Sequence, residues 1–210
     1  MHRFAATLRL AVRAFAMVGI FTLICGGAYT FVVYGIAQAV FPYQAAGSII
    51  EDAGKVSGSD LIGQPFSGAG HLWGRVPSFT VITSSDNQLA IMGVPSYASP
   101  VSQALDPRSH MPYVELIAKR VRSIQAAHPE RAGEAVPVDL VTASASGIDP
   151  HISVAAAKYQ IPRLVRETGK SEREIADIIA GATQHKLLGG IGEEVVNVLA
   201  VNRALDGLQG

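Results

Sequence analysis

AFAMVGIFTLICGGAYTFVVYGIAQAVF, Ala14 to Phe41, contains no charged residue. A helix needs about 20 apolar residues to cross a bilayer core, so this run is long enough to span one with some tilt. Arg3, Arg9 and Arg13 precede it without an accompanying acid, and basic flanks stay on the cytoplasmic side. Tyr34, Phe41 and Tyr43 fall toward the opposite interface, where aromatic rings are favoured. The expected layout is a cytoplasmic N-terminus over 1–13, a single transmembrane helix over 14–41 and an extracytoplasmic domain over 42–210. A cleaved signal peptide has an apolar core of about 7–15 residues. Ala37-Gln38-Ala39 carries the small-residue cleavage pattern, but the run before it is too long. A lipidated Cys25 is disfavoured by the bulky Ile24 before it and by the apolar residues that would remain beyond it.

Within this segment Thr22, Gly26 and Thr30 recur every fourth residue, with Gly19 on the same side. Small residues let a second helix approach closely, which is how membrane helices associate when lipid tails are as apolar as leucine. This face is the candidate partner interface. The bland alternative is the general abundance of glycine in membrane helices.

Composition supports an anchored domain. The chain has 210 residues, 49% hydrophobic and 16% charged, with zero formal net charge. Removing the three N-terminal arginines leaves 14 bases against 17 acids in the remainder. A mildly acidic domain lacks the basic face that holds phosphates, so nucleic acid is not an expected partner. The lone Cys25 excludes an intrachain disulfide and a multi-cysteine zinc site.

Residues 42–210 suffice for one core. Asp60 to Pro107 is rich in Gly, Pro, Ser and Asn, with short apolar pieces such as Phe79-Thr80-Val81-Ile82, and predicts short strands and long loops. Val114, Ile117, Val121 and Ile124 keep helical spacing and predict an amphipathic helix over His110–His128. Val136-Pro137-Val138-Asp139-Leu140-Val141 reads as a buried strand. Ser153 can cap a helix through Ala155 to Tyr159, and Pro162 can open another that ends near Gly169. Ser171 and Glu174 form a capping box ahead of Ile175, Ile178 and Ile179. Val195 to Asn202 reads as strand or helix, its β-branched content and the preceding glycines favouring a strand with a terminal turn, and Glu193-Glu194 as a solvated helix start in preference to an acid/base pair. The fold class expected is α+β, with one N-terminal transmembrane helix.

VTASASGIDPHIS, Val141 to Ser153, concentrates the residue types of nucleophilic catalysis: Ser144, Ser146, Asp149 and His151. A triad needs a base within hydrogen-bond reach of the nucleophile and a third group orienting the base. Asp149 and His151 can meet, but either serine would need a tight reversal to reach His151, and no Gly-x-Ser-x-Gly elbow is present. Asp149-Pro150 suits a turn in which the carboxylate accepts a backbone N–H two residues on. An architectural joint or docking surface is therefore preferred to an anchored serine hydrolase; a solute-binding module is the third option. The six histidines show no spacing suited to metal. Leu187-Leu188-Gly189-Gly190-Ile191-Gly192 lacks the Lys-Ser/Thr of a phosphate-binding loop. No cofactor is expected on the chain.

Four segments together resemble a known family. Val136 to Ile161, with VPVDLVTASASGIDPHIS and Ala155-Ala156-Ala157, is similar to the C subunit of the Kdp potassium-transporting P-type ATPase (KdpC). So are Gly58-Ser59-Asp60-Leu61-Ile62-Gly63-Gln64-Pro65-Phe66 and Trp73-Gly74-Arg75. Leu188 to Glu193, followed by Val196-Asn197-Val198-Leu199 and Asn202-Arg203-Ala204-Leu205-Asp206, completes the likeness. The resemblance implies an accessory, non-hydrolysing subunit in the cell's inner membrane. Its partners would be a channel-like A subunit, an ATP-hydrolysing B subunit and a small F subunit, with ATP and potassium handled by those partners. It further implies a catalytic-chaperone role toward ATP use, and makes Ser144, Ser146, Gly147, Asp149, His151 and Asn197 structural or docking residues. One departure stands out: Thr83 to Ala90 replaces the family's usual glycine-serine-asparagine-leucine-glycine-proline loop, and Val76 intervenes between Arg75 and Pro77-Ser78.

Overall fold

Apolar residues with almost no polar interruption favour continuous helix, and the N-terminal unit, residues 1–49, is dominated by one. A computed structural model of the chain describes residues 2–52, 54–76, 79–83, 89–93, 113–186 and 189–208. Helix α1 (His2–Phe21) runs into a π-helical segment (Thr22–Tyr29) and then α2 (Thr30–Val40). The helix begins before the apolar run and carries the arginine flank as well. Its Thr7–Val40 portion has 34 residues, and an 18-residue window within it reaches a mean hydropathy of 2.0 with no buried residue. An unbroken α-helix over 14–41 was the simplest expectation; the Gly26-Gly27 pair lies inside the π segment, and Thr30 Oγ1 donates to Cys25 O at 3.1 Å, five residues back. Pro42 then opens the short α3 (Pro42–Ala45).

The second unit, residues 50–210, is α+β. Strands β1 (Ile49–Asp52) and β2 (Lys55–Ser59) form a two-stranded sheet, as do β3 (Phe79–Thr83) and β4 (Leu89–Gly93), which pair antiparallel with Thr83 opposite Leu89. The atypical segment Thr83 to Ala90 thus joins two paired strands; its residues 84–88 lie outside the described residues, as do Pro77 and Ser78. Helix α4 (Tyr113–Ala127) is the amphipathic helix the spacing predicts, residues 110–112 lying outside the described residues. Ile124 is buried in the core, with Ile117 and Val121 packed against it.

A third sheet organises the core in the order β5 (His151–Ser153), β7 (Val195–Asn197), β6 (Thr183–Gln184), all antiparallel. Ile152 and Val196 face each other in it and are fully buried. Helix α5 (Val154–Tyr159) is capped by Ser153, whose hydroxyl accepts from Ala156 N–H. Helix α6 (Ile161–Thr168) has Pro162 in its first turn and ends at Gly169, left-handed at φ +71°, a conformation glycine adopts without a Cβ penalty. Helix α7 (Glu172–Gly181) opens with the complete Ser171/Glu174 capping box. Leu164, Ile175, Ile179 and Val201 of α6, α7 and α8 (Val198–Leu205) close the core over the sheet.

Three sequence expectations are corrected. Val136 to Val141 is not a buried strand. Val138–Leu140 is a single 3₁₀ turn with Val138 65% exposed, because Pro137 has no N–H for a ladder and the Asp139 carboxylate is buried against other groups. Val195 to Asn202 is strand only as far as Asn197. Its side-chain amide oxygen accepts from Ala200 N–H at 3.0 Å and starts α8 there, so an N-cap overrides the β-branched composition. Glu193-Glu194 starts no helix; it precedes β7, and Glu194 meets His185 Nδ1 at 2.9 Å.

Candidate functional site

The Ser144–His151 segment forms a joint whose short side chains satisfy its own backbone. Ser144 Oγ accepts from Gly147 N–H at 2.8 Å and lies 3.2 Å from Ser146 Oγ. Ser146 Oγ accepts from Ile148 N–H at 3.3 Å. Gly147 is left-handed at φ +74°, so the reversal between the serines and Asp149 calls for glycine. Asp149 Oδ1 accepts from His151 N–H at 3.0 Å, the turn its sequence predicts, and lies 3.3 Å from His151 Nδ1. The far ring nitrogen, His151 Nε2, is buried with no hydrogen-bond partner among the described residues. A hydrolytic triad would need a serine hydroxyl on that nitrogen, and neither Ser144 nor Ser146 is on it.

Around this joint the four sequence signatures converge. Gly63 N–H donates to Ile148 O at 2.7 Å. A Cβ at Gly63 would lie 2.5 Å from Asp149 O, so only glycine allows the approach. Asn197, besides capping α8, donates through Nδ2 to Asp60 O at 3.2 Å and Asp60 Oδ1 at 2.9 Å. Gly63, Gln64, Arg75, Ser144, Asp149 and Val198 all line one narrow cleft with room for little more than a water molecule.

Two residues absent from the sequence-derived set hold this junction together. Arg75 Nη2 meets Asp139 Oδ1 at 2.6 Å, and its Nε lies 3.6 Å from Asp149 Oδ2. Asp139, with its side chain only 7% exposed, also accepts from Ser153 N–H at 2.9 Å. The signal was available: one carboxylate in the apolar run Val136–Val141 requires a buried partner, because an unpaired charge is costly to bury.

The Gly68–Trp73 stretch is held by side chains instead of strand pairing. Asn202 accepts from Leu72 N–H at 2.6 Å and donates to Leu72 O at 3.0 Å. Gln160 does the same for Trp73, at 2.9 Å each way. Arg163, 1% exposed, donates to Ala69 O, to His71 O at 2.9 Å and to Gln160 Oε1 at 2.8 Å, and lies 4.1 Å from the Trp73 ring centroid. Desolvation lowers its pKa to about 10, which leaves it charged at neutral pH.

In the N-terminal unit, Gly19, Thr22, Gly26 and Thr30 are themselves exposed, and none of residues 7–40 is buried. A Cβ at Gly26 would meet only Thr22 Cγ2, at 4.0 Å, and one at Gly19 would meet nothing within 4 Å. The π segment takes in more residues per turn than an α-helix, which changes the tilt of the small-residue row.

The family described as "KdpC: K+-transporting ATPase, c chain" matches residues 11–207, taking in most of the apolar helix and all but the last three residues of the second unit. Potassium-transporting ATPase KdpC subunits are similar over nearly their full length. That of Clostridium botulinum (strain Eklund 17B / Type B) is 46% identical over 192 residues, covering 90% of this chain and 91% of its own. The Geobacter sulfurreducens protein is 46% identical over 196 residues, 93% and 96% of the two chains. The Janthinobacterium sp. (strain Marseille) protein is 43% identical over 201 residues, 96% and 98%. With cleft-forming signatures and apolar helix both inside the matched range, the chain belongs to the KdpC family, the c chain of K+-transporting ATPases.

Proposed function

We propose that this chain is the accessory, non-hydrolysing subunit of a potassium-transporting ATPase complex, anchored by its N-terminal helix. The carrying observation is the family match, which runs through helix and domain alike. Its partners are the channel-like A subunit, the ATP-hydrolysing B subunit and the small F subunit, which handle potassium and ATP. Residues 1–13 lie in the cytoplasm, 14–41 cross the membrane, and 42–210 lie outside. The three arginines ahead of the apolar run support that orientation. The Gly19/Thr22/Gly26/Thr30 face takes a partner helix, and the Ser144–His151 joint with Asn197 shapes the docking surface of the domain. Any assistance to ATP use passes through the membrane helix by biasing a partner's conformation, since an outward domain does not meet cytoplasmic nucleotide.

Retention of a large multi-span ATPase on the tagged chain in mild detergent is the expected result; recovery of the chain alone would overturn the assignment. Orientation is tested by a cysteine at Glu193, whose side chain is 86% exposed. A membrane-impermeant maleimide should label Glu193→Cys in intact cells, and labelling only after lysis would reverse the topology.

A further inference from the structure

His128 follows α4 and is fully buried, at 0% exposure. Its Nδ1 lies 2.7 Å from Ile124 O, and a carbonyl only accepts, so Nδ1 carries the hydrogen. Its Nε2 lies 2.9 Å from Arg163 Nε, and a guanidinium only donates, so Nε2 presents a lone pair. These two partners fix the ring as the neutral Nδ1–H tautomer. A second proton would set N–H against N–H beside a guanidinium.

Among the described residues only the Ile124 carbonyl on Nδ1 favours that charge, and it is outweighed. Arg163 and Arg166 face it from α6 and Arg131 from the 3₁₀ turn Pro129–Arg131, all disfavouring imidazolium. The nearby acids are taken: Glu134 pairs with Arg131, and Glu130 and Glu167 pair with Arg166. Tyr159 and Trp73 offer rings, with centroids at 5.3 and 5.6 Å. His71, in the segment Arg163 holds, turns its own ring to Asp206 at 3.0 Å. Burial, then the arginines, push the His128 pKa below its ordinary 6.5.

We propose that His128 is an acid-released latch: protonation displaces the Arg163 guanidinium and frees the Ala69 and His71 carbonyls and the face of the Trp73 ring, while Asn202 and Gln160 keep the Leu72 and Trp73 peptides in place. Arg163 is the link, because the group that donates to His128 also holds Ala69 O and His71 O and stacks on Trp73. The latch is closed above the ordinary histidine value and opens as pH falls below it. It does not depend on which side of the membrane the domain occupies.

Trp73 is the only tryptophan in the chain, so its emission reports on the segment directly. The full chain in detergent micelles is titrated from about pH 8 to about pH 5. The expected result is a one-proton shift of emission to longer wavelength below pH 6.5, with far-UV circular dichroism unchanged. The step should vanish in His128→Gln, whose amide oxygen can still accept from Arg163, and persist in His71→Gln. Should His128→Gln fail to fold, ¹⁵N spectra of the histidine rings give the answer in the wild-type chain. There the unprotonated Nε2 signal of His128 should titrate together with the emission. An unaltered step in His128→Gln, no step at all, an Nε2–H tautomer at neutral pH, or a step that coincides with loss of helical signal would each overturn the latch.

Discussion

Gly63 leaves no room for a single additional carbon. A Cβ there would be 2.5 Å from Asp149 O, a backbone atom that cannot rotate away. Gly63→Ala is expected to destabilise the second unit by about 1–3 kcal/mol, as overpacking does, lowering Tm in calorimetry of the detergent-solubilised chain. Gly190, which meets nothing within 4 Å, is the control position. Asp139 is sensitive for the opposite reason, that it is paired. Asp139→Asn removes the charge opposite Arg75 and weakens the acceptor for Ser153 N–H. Since Arg75 is a quarter exposed and partly solvated, the loss should be about 2 kcal/mol, below that of a fully enclosed pair. A denaturation midpoint that does not move would remove Asp139 from the supports of the joint.

Helix ends were the most legible elements. Ser153, Pro162, Gly169 and the Ser171/Glu174 box each sit where the sequence puts them, because caps are local chemistry read by neighbouring backbone. Ser171→Ala should cost about 1 kcal/mol and loosen α7 first, visible as faster amide exchange in its opening turn. Two strand readings stopped short where a polar side chain redirects the backbone. Asp139 turns Val138–Leu140 into a 3₁₀ corner, and Asn197 converts the end of β7 into the start of α8. The Asp149 turn was foreseeable from two residues. The clamps on Leu72 and Trp73 were not, since Gln160 and Asn202 lie 87 and 130 positions from the peptides they hold. A pattern read in short windows cannot pair residues at such separations.

At the scale of the molecule, two long-range links govern behaviour outside the joint. Asp52 in β1 receives Arg203 of α8 through Nε at 2.9 Å and Nη2 at 2.5 Å, which, with Ser57, lowers its pKa from 3.8 to about 2. A depressed carboxyl stabilises the fold above its unfolded value, and that contribution is lost as pH falls from about 4 toward 2. Asp52→Asn should flatten that part of the acid-unfolding profile; an unchanged profile would mean the pair contributes nothing. The other link is to partners. A Cβ at Gly26 would meet only Thr22 among the described residues, so Gly26→Leu should leave the helix intact while reducing copurification of the ATPase several-fold. Undiminished copurification would dismiss the small-residue face.

The helix also outruns what it is meant to cross. Its uncharged run, residues 14–41, extends about 40 Å at about 1.5 Å per residue, against a hydrocarbon slab of about 30 Å. Such an excess is relieved by leaning, or by gathering lipids with longer tails around the anchor. Transport by the assembled complex should therefore depend on acyl-chain length in reconstituted vesicles, because thickness sets the angle at which this subunit meets its neighbours.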